Sequence, residues 1–437
     1  MKKIINFLEE HFVPVAAKIG AQRHLVAIRD GFVSIMPLII LGSLAVLINN
    51  LPIPFYQNFM AGVFGEGWTS FGGNLWNGTF AVLSMLVVFS ISYNLAKSYE
   101  ADPLSAGVVS FASLMTIMAS AEGAWAIPYK WVGALGLFVA IFTALISTEI
   151  FSRLSKNDKL KINMPEGVPP AVSRSFASML PAIITLCVFA FIKIFAVKLG
   201  INNIHAALYN AIQSPLSGLA NTLWSAIFIA FINHLLWFFG LHGSNILEPL
   251  MQSVYLPALQ ANMDALAQGA TIPNIVTKPF FDAFVYMGGS GTTISLIIAI
   301  FITARRKHFK DLSKLSFPPG LFNINEPLLF GLPIVLNPIF FLPFIIIPVI
   351  LTIISYLVTA IGLVPPTIAM IPWTTPPIIG GFLATGSIMG SLLQIFNLIV
   401  ATAIYIPFVK MSEKTYFENL DDSNDHSSED DTVSISE

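Results

Sequence analysis

The sequence predicts an all-α polytopic membrane protein with about ten transmembrane helices and with re-entrant hairpins in its second half. Of the 437 residues, 55% are hydrophobic and only 11% are charged, and the mean hydropathy is +0.76. A soluble globular chain carries roughly a quarter charged residues, so this composition excludes one. Apolar stretches recur along the chain, and short sequences rich in Gly, Pro, Asn, Ser and Thr interrupt the later ones.

The predicted spans fall into two halves of five. A window of about 19 residues, the length that crosses a hydrocarbon core, identifies them. The seventh is the weakest because it contains Glu248, Pro249 and Pro257. The ten spans are Gly31–Asn49, Thr79–Ala96, Leu104–Ala121, Val132–Phe151, Phe176–Val197, Thr222–Gly240, Ile246–Ala261, Phe284–Ala304, Ile339–Leu363 and Ser387–Val409.

Basic residues orient these spans, because short cytoplasmic loops carry the excess of Lys and Arg. Basic clusters precede the first span, follow the fourth and follow the eighth, the last of them beginning with Arg305, Arg306 and Lys307. With ten spans, all three clusters face one side, and the loop 50–78, which has no Lys or Arg, faces the other. Both termini are therefore predicted to be cytoplasmic.

Two terminal segments are predicted to lie outside the membrane, flanking a first half at residues 29–200 and a second half at residues 201–410. Residues 1–28 carry apolar side chains at near-helical spacing, which favours either an amphipathic helix on the cytoplasmic leaflet or a cytosolic helix packed on the protein. From residue 411 to 437, nine acidic residues stand against one lysine, with little apolar content. A disordered acidic cytoplasmic tail is therefore predicted.

The single cysteine, Cys187, falls inside the apolar run Phe176–Val197 and has no partner for a disulfide within the chain. Thiolate chemistry needs an exposed, electropositive setting. We therefore expect a buried and unreactive thiol.

Four polar sequences interrupt or adjoin the spans of the second half. Irregular backbone at membrane depth persists only where it is buried in protein or lines a wet cavity. Transporters often build ligand sites from such broken helices and hairpins. The sequences therefore predict a polar ligand site, and they are Gly240–Pro249, Tyr286–Leu296, Asn323–Pro327 and Pro372–Ser387.

Glu326 is the strongest candidate for function, because an intramembrane carboxylate is costly and usually marks a substrate or ion pathway. It lies in an apolar stretch whose prolines oppose a continuous helix. We predict a re-entrant hairpin there, with Asn323–Glu326 near its tip. The prolines concerned are Pro318, Pro319, Pro327, Pro333 and Pro338.

The other polar residues also have purely structural interpretations. Gly288–Gly291 is compatible with close helix packing by small residues. Trp373 is compatible with a belt of aromatic residues at the membrane interface. His242 is compatible with a hydrogen-bonded core histidine, although three small or polar residues follow it directly.

Together, these polar groups favour a sugar as the ligand. Asn, Glu and His side chains bind hydroxyls, and aromatic rings pack on the apolar faces of a sugar ring. No obvious cluster of intramembrane Arg or Lys is present to neutralise an anion, and repeated acidic residues typical of an ion pathway are absent. No cofactor, metal site or nucleic-acid partner is predicted.

Four sequences of the chain closely resemble those of a known family. In order along the chain, they are "INMPEGVPPAVSRSFASMLPA" (Ile162–Ala182), "HGSN", "MGGSGTT" and "NINEPLLFGLPIVLNP". The family is enzyme IIC, the membrane subunit of the bacterial phosphotransferase system, in its lactose, cellobiose and diacetylchitobiose branch. The resemblance covers nearly the whole chain apart from the acidic tail. It implies a subunit of the bacterial cell membrane that binds a β-linked disaccharide, such as cellobiose or diacetylchitobiose, and delivers it for phosphorylation.

The resemblance also implies partners and site residues. In the family, a cysteine of the IIB subunit donates the phosphoryl group to the sugar, after receiving it from a histidine of IIA. Cys187 at mid-membrane cannot be that donor, so IIB and IIA are expected to be separate chains. The resemblance also implies a homodimer whose scaffold is the first half, and contact with membrane lipid. Whether the subunit counts as an enzyme stays open. His242 and Glu326 are implied at the reacting hydroxyl, with Asn245, Gly289, Ser290, Thr292, Asn323, Asn325 and Trp373 as further sugar-binding candidates.

One alternative from another class stays open at this point. In a proton-coupled secondary sugar transporter, Glu326 and His242 would relay protons instead of standing beside a phosphate acceptor. Arg174 is interpreted as a cytoplasmic anchor rather than as a phosphate-binding residue.

Overall fold

The computed structural model describes residues 2–430 except Pro52, Glu122, Asn163 and Glu166. Two of those four positions, 163 and 166, belong to the run Ile162–Ala182, so that part of the resemblance lies outside the described residues. The described first half is helical. Its α-helices are α1 Lys2–Gly20, α2 Arg23–Asn49, α3 Pro54–Phe64, α4 Thr69–Asn77, α5 Leu83–Ser98, α6 Pro103–Ile117, α7 Tyr129–Val132, α8 Leu137–Ser155 and α9 Pro170–Lys198.

The second half contains more and shorter helices, as expected from its interrupted apolar stretches. A π-helical turn, Tyr209–Gln213, joins its first two helices. The α-helices are α10 Ile204–Leu208, α11 Ser214–Ala220, α12 Leu223–Phe238, α13 Gly243–Ala267, α14 Lys278–Phe284, α15 Thr293–Thr303, α16 Lys307–Leu321, α17 Glu326–Gly331, α18 Pro338–Ala360, α19 Ile379–Thr385 and α20 Ile388–Asp430.

Six helical segments of the described chain are long and apolar enough to cross a membrane, or seven if α10–α12, bent by 81°, is counted as one. The polytopic all-α class is thus confirmed, whereas the count of ten is not. The predicted span Leu104–Ala121 becomes the 15-residue α6, and the predicted span Phe284–Ala304 contains the glycine loop that follows α14 and then the 11-residue α15. Local interruptions by Gly and Pro shorten helices that hydropathy alone merges.

The packing of α13 joins the two halves of the chain. One apolar core is built mainly from α2, α5, α6 and α8, and it includes Leu256, Leu259 and Met263 of α13. Another core, built from α11, α12, α14 and their neighbours, includes Val254 and Tyr255 of the same helix. Because α13 is buried on both sides, the second half starts against the first half and is not a separate body.

The prolines around Glu326 break the chain as predicted, but not all of them act as helix breakers. Pro318 and Pro319 lie inside the last turn of α16, and Pro327 lies in the first turn of α17. Residues 322–325 form the turn between these helices, and Asn323 there has a left-handed φ of 63°. This helix–turn–helix matches the predicted hairpin with Asn323–Glu326 at its tip.

The N-terminal helix packs on the protein through its apolar side. Ile5 is only 6% exposed and belongs to a core built mainly from α12, α15–α18 and α20, against which Leu8 and Phe12 also pack. This contact favours the packed cytosolic helix over a helix lying only on lipid, although Phe7 stays exposed on another side.

Two predictions about side chains and termini are corrected. Cys187 is exposed on α9, not buried; α9 is apolar on all sides, so hydropathy could not show which side faces the protein. The predicted disordered tail begins too early, because α20 continues past Met411 to Asp430. Ser412 is 8% exposed, and a Glu413 carboxylate oxygen accepts the backbone N–H groups of Arg305 and Arg306, which fixes the start of this segment. Residues 431–437 of the tail lie outside the described residues.

Candidate functional site

A cavity of about 270 Å³ brings most of the predicted site residues together. Its wall is built by α2, α12, α13, α14, the glycine loop before α15, the turn before α17 and the segment around Trp373. Of the nine predicted site residues, eight line this cavity, and Thr292 does not. The predicted residues on the wall are His242, Asn245, Gly289, Ser290, Asn323, Asn325, Glu326 and Trp373.

His242 begins α13 and faces the cavity. As the residue preceding the helix, it accepts the backbone N–H of Asn245 on Nδ1 at 3.2 Å, which satisfies one of the free donors of the first turn. Its ring centroid lies 4.3 Å from that of Trp237. The helix start and the indole ring therefore fix the imidazole, and Nε2 is the nitrogen left for a ligand.

Glu326 begins α17 on another side of the same cavity. Asn325 precedes it and Pro327 follows it, so the helix starts at the carboxylate itself. A negative charge is favourable in the first turn because the free N–H groups there carry partial positive charge. The hairpin thus presents Glu326 to the cavity at a position that tolerates its charge.

Asn323 holds the hairpin by bonding to two other segments. Its Oδ1 accepts the backbone N–H of Gly288 at 2.7 Å, and its Nδ2 donates to the backbone oxygens of Trp373 and Thr375. Both amide hydrogens are engaged in these bonds. Asn323 thus borders the cavity and also braces three loops against one another.

The glycine loop approaches the hairpin closely enough to require glycine. Gly289 has φ of 91°, and a Cβ there would lie 2.6 Å from Asn325 Cγ. The Asn325 side chain donates to the backbone oxygen of Ser290 at 2.7 Å. The loop and the hairpin are therefore one packed unit.

Thr292 was predicted at the site because it follows this loop, but the structure places it elsewhere. It is fully buried with a left-handed φ of 55°, and its hydroxyl donates to the backbone oxygen of Val285 at 2.8 Å. Its side chain closes the loop on itself and does not line the cavity.

Sequence reasoning missed a charged cluster in the cavity wall. Lys278 Nζ lies 2.9 Å from an Asp282 carboxylate oxygen and 3.9 Å from Glu248, and all three side chains are at least four-fifths buried. Lys278 lies outside the predicted spans and outside the four polar sequences. The spacing Lys278–Asp282 of four residues on one helix face was the available signal.

The first half also contributes to the cavity, although the candidate site residues from the sequence all lie in the second half. Arg29, Val33 and Met36 of α2 lie on its wall, and Arg29 pairs with its neighbour Asp30 at 2.8 Å. Arg29 was counted as one of the basic residues before the first span. Its placement on the wall was invisible without the packing of α2 against α13.

The remaining wall suits a neutral ligand with many hydroxyls. Asn233 donates to the Ser290 hydroxyl and accepts from the Ser244 hydroxyl, and Trp237 and Trp373 offer aromatic rings. Amides, hydroxyls and aromatic faces bind sugars well. Within the part of the chain that the structure describes, no group of three or more His, Cys, Asp or Glu side chains is placed to hold a metal ion.

Comparison with known proteins identifies the family. The model of the family "Phosphotransferase system, EIIC" matches residues 29–348. The chain belongs to this family. It is thus the membrane-embedded, sugar-translocating subunit of a phosphotransferase system, as the sequence resemblance implied, and the proton-coupled transporter is not favoured.

Individual relatives cover almost the whole chain. The lichenan permease IIC component of Bacillus subtilis (strain 168) is 39% identical, over 97% of this chain and 96% of that protein. The cellobiose-specific EIIC component of Geobacillus stearothermophilus is 40% identical, over 95% of both. The crystal structure of the transporter ChbC, the IIC component of an N,N'-diacetylchitobiose-specific system, matches with a TM-score of 0.90 and 40% identity, over 95% of this chain and 99% of that chain.

Proposed function

We propose that this EIIC subunit imports a β-linked disaccharide of the cellobiose or diacetylchitobiose class and presents it to a separate IIB subunit for phosphorylation. The observation that carries the proposal is the meeting of Glu326, His242 and two tryptophans on one cavity. The names of the relatives, which refer to lichenan, cellobiose and diacetylchitobiose, support the same class of sugar.

In this proposal, Glu326 and His242 stand beside the sugar hydroxyl that receives the phosphoryl group. Both are able to accept a proton, and phosphoryl transfer to a hydroxyl is helped by a base that takes its proton as the bond forms. The imidazole is positioned by its bond to Asn245 and by Trp237, and the carboxylate by the start of α17. Trp237 and Trp373 would hold the sugar rings between them.

The partners and the orientation belong to the same proposal. Both termini would be cytoplasmic in the bacterial cell membrane, on the side of Arg305 and Arg306, where IIB and IIA dock. A homodimer would use the first half. The exposed apolar side chains of α9, such as Phe191 and Phe195, fit either a second copy or lipid.

The test is uptake by proteoliposomes that contain the purified protein, with IIA and IIB and a phosphate donor supplied on the IIB-accessible side. We expect disaccharide phosphate to accumulate inside, with cellobiose and diacetylchitobiose competing for uptake. The Glu326→Ala variant should bind no disaccharide in this cavity and accumulate none. Accumulation of free sugar driven by a pH gradient, without IIA and IIB, would instead support the proton-coupled alternative.

A further inference from the structure

A second cavity, of about 430 Å³, lies at the other end of α13 from His242. Its wall contains polar side chains from α13 and from two segments of the first half. Gln260 and Asp264 come from the last turns of α13, Trp76 and Asn77 from α4, and Tyr129 and Lys130 from α7. None of these residues belongs to the cavity that contains Glu326.

The two cavities are separate. Met251 lines the first and Gln260 lines the second, nine residues further along α13. Nine residues correspond to about 13 Å of rise and two and a half turns, so the two side chains point to opposite sides of the helix. Tyr255, Leu256 and Leu259, which lie between them, are fully buried, so apolar packing closes the passage.

Gln260 points to a ligand in the second cavity. Its side chain is 6% exposed, and its Oε1 has no hydrogen-bond partner. Its Nε2 donates to an Asp264 carboxylate oxygen at 2.7 Å, and both residues line the cavity. A buried acceptor without a partner is unfavourable, and a ligand hydroxyl would satisfy it.

The surrounding groups define the chemistry of that ligand. Asp264 offers a carboxylate acceptor, Lys130 an ammonium donor, and Trp76 and Tyr129 aromatic rings. One cation faces one carboxylate, so the wall has no excess of charge to hold an anion or a cation. Acceptors and a donor beside aromatic faces are the set that binds a neutral sugar.

We propose that this second cavity is a carbohydrate-binding site that captures the disaccharide before it reaches the cavity of Glu326. The identity of the sugar rests on the proposed function, whereas the existence of the site rests on Gln260 and its surroundings. In the proposed orientation, the site lies at the outer face, opposite Arg305 and Arg306. Tyr129 is 65% exposed, so the cavity is accessible from solvent.

The experiment is saturation-transfer NMR with cellobiose on the full-length protein in nanodiscs, a method that detects weak binding. The Glu326→Ala background removes the first cavity as a binding site. In that background, we expect a saturable cellobiose signal to remain, and we expect Gln260→Leu to lower it at least fivefold, the effect of one lost hydrogen bond of ordinary strength. Tyr129→Ala should also lower it, and this side chain is too exposed to support the fold.

The matched control is Gln268→Leu, which removes an exposed amide directly after the end of α13 and should leave the signal unchanged. In vesicle uptake, Gln260→Leu should raise KM severalfold with kcat unchanged. The proposal is overturned if the signal is absent in the Glu326→Ala background, as it would be for a cavity filled by lipid, or if Gln260→Leu and Tyr129→Ala both leave it intact. If Glu326→Ala leaves wild-type binding unchanged while Gln260→Leu lowers it, the second site stands and the proposed role of the first fails.

Discussion

Asn323 Oδ1 accepts the backbone N–H of Gly288 at 2.7 Å, although 35 positions separate the two residues. The same side chain donates to the backbone oxygens of Trp373 and Thr375. One amide therefore ties together the glycine loop, the hairpin of Glu326 and the segment of Trp373. The shape of the cavity that contains Glu326 depends on a residue whose polar atoms largely bond to protein.

The first prediction concerns this brace. Asn323→Asp keeps the acceptor for Gly288 and loses both donated bonds. It also places a carboxylate oxygen beside the two backbone oxygens that accepted them. We expect the unfolding free energy to fall by about 1–3 kcal/mol for each carbonyl left unsatisfied, measured as a lower midpoint of thermal unfolding in detergent. The control is Asn337→Asp, since Asn337 caps α18 through Oδ1 and donates only one exposed bond, to Pro333. Equal stability of the two variants would contradict the brace.

The second prediction concerns Glu326. Glu326→Gln keeps the shape and one acceptor but loses a charge-assisted hydrogen bond, which is worth roughly 1.5–3 kcal/mol, or about 10- to 150-fold in affinity. Glu326→Ala should abolish disaccharide binding to the cavity of Glu326 in an equilibrium assay and leave the unfolding midpoint and assembly nearly unchanged. Glu66→Gln, which neutralises an exposed loop carboxylate, is the control. Normal binding by the alanine variant would make Glu326 a structural residue.

The third prediction concerns the buried ion pair in the cavity wall. Asp282→Asn leaves the Lys278 ammonium with only Glu248, 3.9 Å away. Removing one partner of a buried pair typically lowers the unfolding free energy by about 3–5 kcal/mol, because the remaining charge stays buried away from water without that partner. The unfolding midpoint should fall accordingly.

The matched control for that pair is Asp311→Asn, which breaks the exposed contact of Lys314 with Asp311 at 3.9 Å. An exposed pair contributes at most about 1 kcal/mol. If the Asp282 and Asp311 variants are equally stable, the buried pair adds nothing to the fold.

The sequence predicted the parts of the site that break a local rule. A carboxylate in an apolar stretch and glycines beside hydroxyl residues stand out in one dimension, and Glu326, His242 and Gly289 all line the cavity. Lys278 and Arg29 did not stand out, because a basic residue at the edge of a span is ordinary in a membrane protein. Their place in the wall depends on how α2, α13 and α14 pack.

The errors in the fold have a similar origin. Hydropathy averages over about 19 residues, so it merged the short helix α15 with the preceding loop of glycines with positive φ into one span. The exposed Cys187 shows a second limit of hydropathy, which is that it does not indicate the buried side of a helix. On a helix that is apolar all round, no pattern distinguishes the side facing protein from the side facing lipid.

The fourth prediction concerns the closest approach of the loop to the hairpin. Gly289→Ala would place a Cβ 2.6 Å from Asn325 Cγ and 2.8 Å from the backbone oxygen of Asn323, in addition to straining φ. Gly269→Ala strains a left-handed φ of 65° with no neighbour within 4 Å, so it isolates the contact from the strain. Disaccharide affinity should fall more than tenfold in the first variant only. A similar loss in both would assign the effect to backbone strain.

The fifth prediction concerns movement of the second half. We expect the segments 264–278 and 363–373 to connect the moving part to its neighbours, and Asn262 ties them together. Its Nδ2 donates to the backbone oxygens of Asn274 and Thr367 at 2.8 and 2.9 Å, and its Oδ1 accepts the N–H of Asn274. Asn262 is fully buried and does not line the sugar cavity. It is therefore placed to affect transport without touching the sugar.

Asn262→Ala should change the rate of uptake at saturating sugar severalfold, because a broken bond between the connecting segments alters the relative energies of the transport states. The equilibrium affinity for disaccharide should stay within about twofold, because the cavity wall is left intact. Uptake by vesicles gives the rate, and equilibrium binding gives the affinity. Asn58→Ala, which removes an exposed amide on α3, is the control and should change neither. Equal losses of rate and affinity in Asn262→Ala would argue against movement of the second half as a rigid body, since they would show that the connecting segments and the cavity respond as one.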